Sequence, residues 1–405
     1  MLSKKRIEAY PIGGVTHGSA SVGIKKLNRP DLLVTLLKEG STVSGVFTQN
    51  QFCAAPVQIC KRRLTDSSAI RALVVNTGIA NAGTGTQGLS NAEEVCKKLA
   101  TRIGVHQDAV LPFSTGVIME HLPVNRLVRG FDDCIKNQKL EGWEDAAQTI
   151  LTTDTTTKIS SRTLELQGLR VAITGIAKGS GMIQPNMATM LAFVATDASL
   201  SRSMANKINE YAVERSFNCI SVDGDTSTND SCVLIATGES GLPMISSEDD
   251  PNFQILLTEI TSVFTDLAKK IVLDGEGATK FVEVNIEDGG SREECKKIAF
   301  SIANSPLVKT ALFASDPNLG RIMSAIGAAG VENLDTSKIE LYLGDLLVST
   351  QGGIAAEYRE DDAKRIMQED EIRILVKLNR GTKKAAIWTC DLSYDYVKIN
   401  AEYRS

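Results

Sequence analysis

The stretch "KGSGMIQPNMATMLAFVATDA", residues 178–198, changes character in its middle. Its first half is broken by glycine and proline, which favour loops and turns. Its second half, from Met190 to Ala198, is an apolar run that ends in small residues, as is typical of a buried strand. Thr189 stands where the loop enters this strand. Its hydroxyl therefore has two interpretations: an ordinary strand residue, or a nucleophile held at the mouth of a sheet.

The composition excludes several classes of protein. The chain has 405 residues, of which 42% are hydrophobic and 23% are charged, and its net charge is −5. These values are typical of a globular protein with one large core or two or three smaller ones, and they do not favour binding to nucleic acid or to an anionic membrane. No apolar run is long enough to cross a bilayer, and the first residues lack the apolar core of a secretion signal. We therefore expect a cytoplasmic protein.

Few side chains are available for metal or histidine chemistry. The eight cysteines form no Cys-x-x-Cys pair, and we expect them to be buried thiols in a reducing compartment. Only His17, His106 and His121 are present, without a His-x-x-x-His pair. We therefore expect no metal, and both zinc hydrolysis and a serine–histidine triad are disfavoured. A nucleophile in this chain needs a base other than histidine.

Strand-like runs recur along the chain, and helices lie between some of them. Several runs alternate apolar and polar residues, which is typical of half-buried antiparallel strands. Pure βαβ alternation is absent, so we expect an α/β fold of layered mixed sheets with helices. The predicted strand runs are 31–37, 70–78, 169–179, 231–239, 280–288, 338–349, 371–379 and 383–400.

Two segments have the capping signals of helices. Residues 90–104 predict a helix with Ser90 as N-cap, Glu93 completing a capping box and Gly104 as terminator. A longer helix is predicted to open at Asp250 and the proline that follows it. Its apolar residues fall on one stripe and are expected to face a core.

A threonine hydroxyl becomes a nucleophile only when a base takes its proton. One solution uses the threonine's own α-amine, which exists only after the chain has been cut before it. That amine has a reference pKa of about 7.7–8.0, so it can act as a base near neutral pH. The same hydroxyl can make the cut by attacking the Ala188 carbonyl, and water then resolves the ester. Gly179, Gly181 and Pro185 supply the constrained backbone that such an attack needs.

The segment "PFSTGVIME", residues 112–120, carries two groups that suit acyl chemistry. The Thr115 hydroxyl and the Gly116 N–H can both donate to a developing oxyanion, although Ser-Thr-Gly is also a common turn. The glycine-rich stretch 74–88 follows a predicted strand and precedes a predicted helix. It lacks both the Gly-Lys-Ser/Thr and the Gly-x-Gly-x-x-Gly signatures, so nucleotide binding is disfavoured there.

Two further segments place charged groups among small residues. "TILTTDTTTK", residues 149–158, has one acid and one lysine among threonines, and by itself it is interpreted as an exposed strand. "LDGEGATKF", residues 273–281, places Glu276 between glycines just after a predicted helix. Its carboxylate can reach a cavity or face solvent.

Together these segments resemble one family, the ornithine acetyltransferases or bifunctional glutamate N-acetyltransferases of arginine biosynthesis. The resemblance depends on "KGSGMIQPNMATML", "STGVI", "TTDT", "DGEGATK", "DPNLGRI" and the carboxyl end "NAEYRS", which occur in the family's order across nearly the whole chain. The first motif is highly specific. In such proteins the bond before the threonine of Met-Ala-Thr-Met-Leu is self-cleaved, and that threonine becomes the nucleophile of a new chain.

For this chain the resemblance implies cleavage between Ala188 and Thr189. The products are an alpha fragment of residues 1–188, which carries the oxyanion hole and part of the substrate site, and a beta fragment of residues 189–405, which begins with the nucleophile. The implied fold is built from the two interlocked fragments. Two copies of each are expected to assemble into a heterotetramer.

The resemblance also implies roles for individual side chains. Thr115 and Gly116 form the oxyanion hole. A lysine suits the carboxylate of an amino acid and a glutamate suits an ammonium group, so the physical chemistry is compatible with the substrate set. The implied substrate-contacting residues are Thr152, Lys178, Thr189, Glu276, Asn400 and Ser405.

The implied reaction is a two-step acetyl transfer. Thr189 takes the acetyl group of N2-acetyl-L-ornithine, and the amine of L-glutamate then accepts it in a ping-pong sequence. No metal or tightly bound cofactor is implied, and the sequence leaves open whether acetyl-CoA is also a donor. The expected partners are amino-acid substrates and the chain's own fragments, with no nucleic acid and no membrane.

Two other classes remain open from the sequence. One is a self-processed amidase or aminopeptidase of similar architecture, in which water accepts the acyl group. The other is a non-catalytic binding protein that stays uncut. Acetate release in the absence of glutamate distinguishes the first, and a denaturing gel distinguishes the second.

The chain departs from the family pattern at several positions. Family members often have Asn-Ala-Asn in the glycine-rich loop and a cysteine soon after it, whereas this chain has Ile79-Ala80-Asn81 and then Gly83. Leu319 replaces the usual tryptophan of Asp-Pro-Asn-Trp-Gly-Arg, and Thr157 replaces a proline. Met119 stands where a glycine is common, three positions after Gly116.

Self-cleavage gives the first prediction. Intact-mass analysis should show fragments 1–188 and 189–405, with threonine as the second amino terminus. The Thr189→Ala variant should remain one chain, because the attacking hydroxyl is gone. Efficient cleavage of this variant in a host that lacks a suitable protease would contradict self-processing.

Overall fold

The computed structural model describes residues 9–25, 29–66, 69–184 and 190–402. Ala188, Thr189 and Ser405 of the predicted site lie outside the described residues. The chain divides into two compact units. The larger unit comprises residues 5–218 and 225–271, and the smaller unit contains residues 219–224 and 272 onward.

The described residues form sixteen strands and eleven α-helices, with three short 3₁₀ turns. The strands are β1 Val15–Ala20, β2 Leu32–Leu37, β3 Thr42–Phe47, β4 Ala72–Ile79, β5 Val110–Val117, β6 Lys158–Leu166, β7 Leu169–Lys178, β8 Leu191–Thr196, β9 Ile220–Ser221, β10 Ser231–Ala236, β11 Phe281–Gly289, β12 Glu340–Leu343, β13 Leu346–Thr350, β14 Gly353–Ile354, β15 Glu371–Lys377 and β16 Lys383–Cys390. The helices are α1 Ala55–Thr65, α2 Gly85–Ile103, α3 Val124–Lys136, α4 Trp143–Thr149, α5 Arg202–Arg215, α6 Phe253–Leu273, α7 Arg292–Ala303, α8 Pro306–Phe313, α9 Leu319–Gly327, α10 Glu360–Met367 and α11 Tyr394–Ala401.

The larger unit contains two sheets that share one core. One sheet has the order β1-β2-β4-β5, and the other has the order β3-β10-β8-β7-β6. Phe113 of the first sheet and Phe193 of the second meet edge to face, with ring centroids 5.0 Å apart. Both belong to a buried cluster that also includes Leu33, Val233 and Trp143. Large aromatic side chains contribute much of the buried apolar area, so these contacts hold the two sheets together.

The five-stranded sheet combines strands from both sides of residue 188. Strands β3, β6 and β7 precede that residue, whereas β8 and β10 follow it. β8 pairs with β7 antiparallel and with β10 parallel. Both parallel and antiparallel pairs therefore occur in one sheet, which confirms the prediction of mixed sheets. Two fragments that meet at residue 188 would share this sheet.

Helix α2 covers the outer face of the four-stranded sheet, but it begins earlier than predicted. Val95 and Leu99 are buried as expected, and Gly104 ends the helix in the left-handed conformation with φ of 71°. The helix starts at Gly85 with Thr84 as its cap, so the prediction of Ser90 as N-cap, with Glu93 in a capping box, is wrong. Tertiary contacts add a turn that helix propensity alone disfavours.

Helix α6 confirms the predicted apolar stripe. It begins at Phe253, two residues after Pro251, while the Asp250 carboxylate accepts a hydrogen bond from the Asn252 N–H at 2.8 Å. Asp250 therefore organises the turn before the helix. The stripe residues Phe253, Leu256, Leu257, Ile260, Phe264, Leu267 and Ile271 are all buried.

The smaller unit contains a seven-stranded sheet with the order β14-β13-β12-β15-β11-β16-β9. Two predicted strand runs are corrected here. Residues 338–349 form two strands joined by a turn at Gly344, which has φ of 56°. Residues 383–400 form strand β16 and then helix α11, because Ser393 interrupts the strand pattern and precedes the helix as its cap residue. No helix in the described part of the chain is long and apolar enough to span a membrane.

Candidate active site

Thr115 and Gly116 lie near the carboxyl end of β5, which is an edge strand of the four-stranded sheet. They are strand residues, so the alternative of an isolated Ser-Thr-Gly turn is wrong. Gly116 has φ of 129°, and a Cβ added there would lie 2.2 Å from the carbonyl carbon of Gly78. Only glycine fits this backbone conformation and this close approach to the neighbouring strand.

Lys178, at the end of β7, joins Thr115 to a second predicted residue. Its Nζ donates hydrogen bonds to Thr152 Oγ1 at 2.8 Å and to Thr115 Oγ1 at 3.2 Å. An ammonium group has donors and no acceptor, so both hydroxyls accept in these bonds. Thr152 donates its own O–H to Asp154 Oδ2 at 3.5 Å, whereas Thr115 keeps its O–H for another acceptor. The contact leaves the Thr115 hydroxyl as a potential donor to an oxyanion.

Asp154 organises this group of side chains, although no role was predicted for it from the sequence. Its Oδ1 accepts from Lys158 Nζ and from the Gly179 N–H, both at 2.7 Å. Its Oδ2 accepts from the Thr152 N–H at 3.0 Å and lies 3.9 Å from Lys178 Nζ. The carboxylate thus fixes the loop that carries Thr152 and the residues at the end of β7.

The charge of Asp154 is stabilised although its side chain is fully buried. Burial alone raises the pKa of a carboxyl, but Lys178, Lys158 and the Gly179 N–H together hold the pKa of Asp154 well below its usual range. The carboxylate is therefore charged near neutral pH. Residues 151–157 form a loop before β6, so the interpretation of 149–158 as an exposed strand is wrong. The sequence signal that could have revealed the buried ion pair is the single acid, Asp154, among threonines and four positions before Lys158.

Glu276 and Asn400 come together within the smaller unit. Glu276 follows α6 in a glycine turn and is buried, and Asn400 lies on α11. Asn400 Nδ2 donates to Glu276 Oε2 at 2.9 Å. Ser393 Oγ donates to the Gly277 carbonyl at 2.6 Å, which ties the turn to the residue before α11. The structure thus pairs two predicted substrate residues that are far apart in the sequence.

Met119 and Gly83, two of the departures from the family pattern, lie next to each other. Met119 adopts the left-handed conformation with φ of 68°, which glycine adopts more readily than methionine. Its Sδ would lie 2.7 Å from a Cβ on Gly83. Gly83 therefore makes room for Met119. The Met119 side chain is 69% exposed, and its N–H donates to the Ala82 carbonyl at 2.9 Å.

One of the three histidines, His17, is buried in the larger unit. Burial lowers the pKa of His17 to about 3, and its ring packs edge to face on Trp143 at 4.4 Å. The described residues contain no group of three or more His, Cys, Asp and Glu side chains that could hold a metal ion. Seven of the eight cysteines are buried, and all eight are free thiols.

The chain is similar to several known proteins. Residues 16–405 match the model of the ArgJ family. The arginine biosynthesis bifunctional protein ArgJ of Colwellia psychrerythraea is 52% identical over 410 residues, which cover 98% of this chain and 97% of that protein.

Two solved structures are also similar. That of the arginine biosynthesis bifunctional protein argJ from Bacillus halodurans is 35% identical, with a TM-score of 0.49, over 51% of this chain and 96% of that chain. That of ornithine acetyltransferase from Mycobacterium tuberculosis, in complex with ornithine, is 27% identical, with a TM-score of 0.40, over 46% of this chain and 97% of that chain.

Replacing Asp154 with asparagine tests the buried charge group. The Asp154→Asn variant leaves Lys158 and Lys178 without their carboxylate, so the free energy of unfolding should fall by about 3–5 kcal/mol near neutral pH. Because the folded-state pKa of Asp154 is depressed, its contribution is present above the ordinary aspartate pKa of about 4 and is lost as the pH falls below it. The difference between wild type and variant should therefore shrink in acid.

Urea unfolding of both proteins across this pH range measures the effect. The Asp145→Asn variant is the matched control, because Asp145 pairs with Lys139 at 3.2 Å on the surface. Exposed pairs contribute about 1 kcal/mol or less. Equal effects of the two substitutions would contradict the importance of the buried group.

Proposed function

The chain belongs to the ArgJ family and is an acyltransferase of arginine biosynthesis, and we propose that it transfers the acetyl group of N2-acetyl-L-ornithine to L-glutamate. The family match confirms the resemblance drawn from the sequence motifs. The observation that carries the proposal is the contact of Lys178 Nζ with the hydroxyls of both Thr115 and Thr152. It joins the predicted oxyanion donor to the predicted substrate residues.

The reaction begins with maturation of the chain. The Thr189 hydroxyl attacks the Ala188 carbonyl, the peptide bond shifts to an ester, and water cleaves the ester. The products are the Ala188 carboxylate and a free α-amine on Thr189. This amine then serves as the base for the hydroxyl of the same residue.

Acetyl transfer follows in two steps. The Thr189 hydroxyl attacks the acetyl carbonyl and gives its proton to the α-amine, and the tetrahedral oxyanion accepts hydrogen bonds from the Thr115 hydroxyl and the Gly116 N–H. The C–N bond breaks, the α-amine returns the proton to the leaving nitrogen, and ornithine departs. The amine of glutamate then attacks the acetyl ester, which releases N-acetylglutamate and restores the threonine hydroxyl.

Charged side chains select amino acids over other acyl compounds. Lys178 is buried and binds the α-carboxylate, and Thr152 lies beside it. Glu276 is buried and binds an ammonium group of the substrate, with Asn400 orienting its carboxylate. Ser405 completes the set. Charge-assisted hydrogen bonds of this kind contribute about 1.5–3 kcal/mol each.

The working enzyme contains both fragments. Fragments 1–188 and 189–405 stay interlocked and assemble as two copies of each in the cytoplasm. Acetyl-CoA as a second donor would make the enzyme an N-acetylglutamate synthase as well. The reaction from acetyl-ornithine needs neither a metal nor a bound cofactor, because the threonine, its amine and the oxyanion donors supply every group.

Turnover of N2-acetyl-L-ornithine with and without L-glutamate tests the transferase directly. The proposal expects N-acetylglutamate to form in step with ornithine, and it expects only a single enzyme equivalent of ornithine when glutamate is absent. Continuous release of acetate without glutamate would instead identify a self-processed hydrolase. An uncut, inactive chain would identify a binding protein.

Thr115→Ala tests the oxyanion hole. The variant loses one donor while Gly116 keeps the other, so kcat should fall on the order of 100- to 1000-fold with little change in KM. Thr115→Ser keeps the hydroxyl and should retain far more activity.

Only fully cleaved enzyme should be assayed, because the same donors can serve the Ala188 carbonyl during maturation. A cleaved Thr115→Ala enzyme that turns over at the wild-type rate would show that the hydroxyl is not part of the hole.

A further inference from the structure

Residues 225–231, "DTSTNDS", hold the chain on the amino-terminal side of the proposed cleavage point. The described chain reaches Gln184 there. The Gln184 N–H donates to the Asp225 carbonyl at 2.8 Å, and Thr226 Oγ1 donates to the Gln184 carbonyl at 3.2 Å. Both polar groups of the Gln184 backbone are therefore bound to one segment.

The same segment holds the chain on the other side. The Met190 N–H donates to Asp230 Oδ1 at 2.8 Å, and the Ser231 N–H donates to the Met190 carbonyl at 3.1 Å. Met190 directly follows Thr189 in the sequence. Its backbone position is thus fixed at both polar groups, once by a side chain and once by the parallel neighbour strand β10.

The Asp230 side chain, which binds the Met190 N–H, is buried. Only 1% of the residue is exposed, and its Oδ2 is buried without a hydrogen-bond partner among the described residues. Burial raises the pKa of this carboxyl well above its usual range, against the influence of the Met190 N–H, of Lys178 and of the Thr48 and Ser227 side chains. A buried carboxyl with an unpaired oxygen costs stability. The Asp230 carboxyl is therefore held beside Met190 at a cost in stability.

Asn229 connects the segment to the strand that carries the predicted oxyanion hole. Its Nδ2 donates to the Ser114 carbonyl at 2.9 Å and to the Ala80 carbonyl at 2.6 Å. Ser114 directly precedes Thr115 on β5. Two consecutive side chains, those of Asn229 and Asp230, therefore bind the backbone next to Thr115 and the backbone next to Thr189.

We propose that Asn229 and Asp230 are positioning residues, which together set the backbone that follows the nucleophile against the strand that carries the oxyanion hole. The inference rests on the proposed function, since it assumes that Thr189 is the nucleophile and Thr115 an oxyanion donor. Attack on a carbonyl requires the reacting atoms to be about 3–3.5 Å apart and aligned, and a misplacement of about 1 Å can cost on the order of 100-fold in rate. Because Asn229 and Asp230 are neighbours in the chain, they connect the backbone at Ser114 to the backbone at Met190 and control the distance between them.

Alanine variants of the two residues test the proposal. Asp230→Ala frees the Met190 N–H, and Asn229→Ala frees the Ser114 and Ala80 carbonyls. Each variant should self-cleave more slowly, and its cleaved form should lose on the order of 100-fold in kcat with little change in KM for N2-acetyl-L-ornithine. Asp230→Asn retains an oxygen that can accept from Met190 and should restore most of the activity.

Two polar residues beside the same sheet, the half-buried Asp197 after β8 and the buried Asn209 on α5, provide controls. Asp197 accepts from the Ala172 N–H at 2.8 Å beyond the other end of β8, and Asn209 Nδ2 donates to Ser44 Oγ at 3.2 Å and to the Cys232 carbonyl at 3.4 Å. Asp197→Ala and Asn209→Ala lose similar hydrogen bonds away from Met190 and Ser114. They should keep wild-type kcat even where they lower the melting temperature.

Hydrogen–deuterium exchange gives a readout that does not depend on activity. In the uncut Thr189→Ala chain, a peptide that starts before residue 189 and contains Met190 should exchange faster when Asp230→Ala is added than without it or with Asp197→Ala. Faster exchange with unchanged kcat and cleavage would overturn the proposal, and so would equal losses of kcat in the controls.

Assays of the wild-type protein distinguish a failure of the proposed function from a failure of the positioning role. If it neither self-cleaves nor transfers acetyl, the proposed function fails whatever the variants do. If it does both while Asp230→Ala and Asn229→Ala behave as wild type, only the positioning role fails. Should Asp230→Ala not fold, Asn229→Ala decides the question from the other strand.

Discussion

The buried carboxylate of Asp154 is the constraint on which the candidate site of the larger unit depends. It lies between two buried lysines and accepts hydrogen bonds from backbone and side chain alike. Such a charge is costly to bury unless it is paired and fully hydrogen-bonded. Because the pairing is nearly complete, the loop at Thr152 and the end of β7 at Lys178 are held in one arrangement. The group can therefore keep its charges away from water.

The fixed position of Lys178 has a chemical consequence for Thr115. A lone hydroxyl can rotate its proton toward any acceptor, but the ammonium occupies an acceptor site of Thr115 Oγ1 and leaves the O–H to donate elsewhere. Gly116 is held close to Gly78 by a backbone conformation that only glycine adopts readily. Donors that are oriented before the reaction need no reorganisation as charge develops, which is the main source of oxyanion stabilisation.

Local motifs predicted Thr115 and Gly116 as candidates, and the family resemblance added Thr152 and Lys178. The structure brings Thr115 and Thr152 within hydrogen-bond distance of Lys178. The roles of Asp154, Asn229 and Asp230 could not be predicted, because they depend on contacts between distant parts of the chain. Asn229 meets β5 more than a hundred positions away.

The secondary structure could likewise be predicted where the local sequence decides it, but not where contacts outside the local pattern decide it. Apolar periodicity predicted several strands and the buried face of α6, although two of the predicted strand runs contain a turn or a helix. The capping signals misplaced the start of α2, where Asn81 Nδ2 donates to the Gly88 carbonyl at 3.0 Å and supports a helical turn rich in glycine. The central chemical claim is that acetyl passes through a covalent threonine ester. Mass analysis of the fragments after incubation with N2-acetyl-L-ornithine alone tests it most directly. Fragment 189–405 should gain the mass of one acetyl group on Thr189 and lose it when L-glutamate is added. A fragment that stays unmodified, or an acetyl group on another residue, would contradict the mechanism.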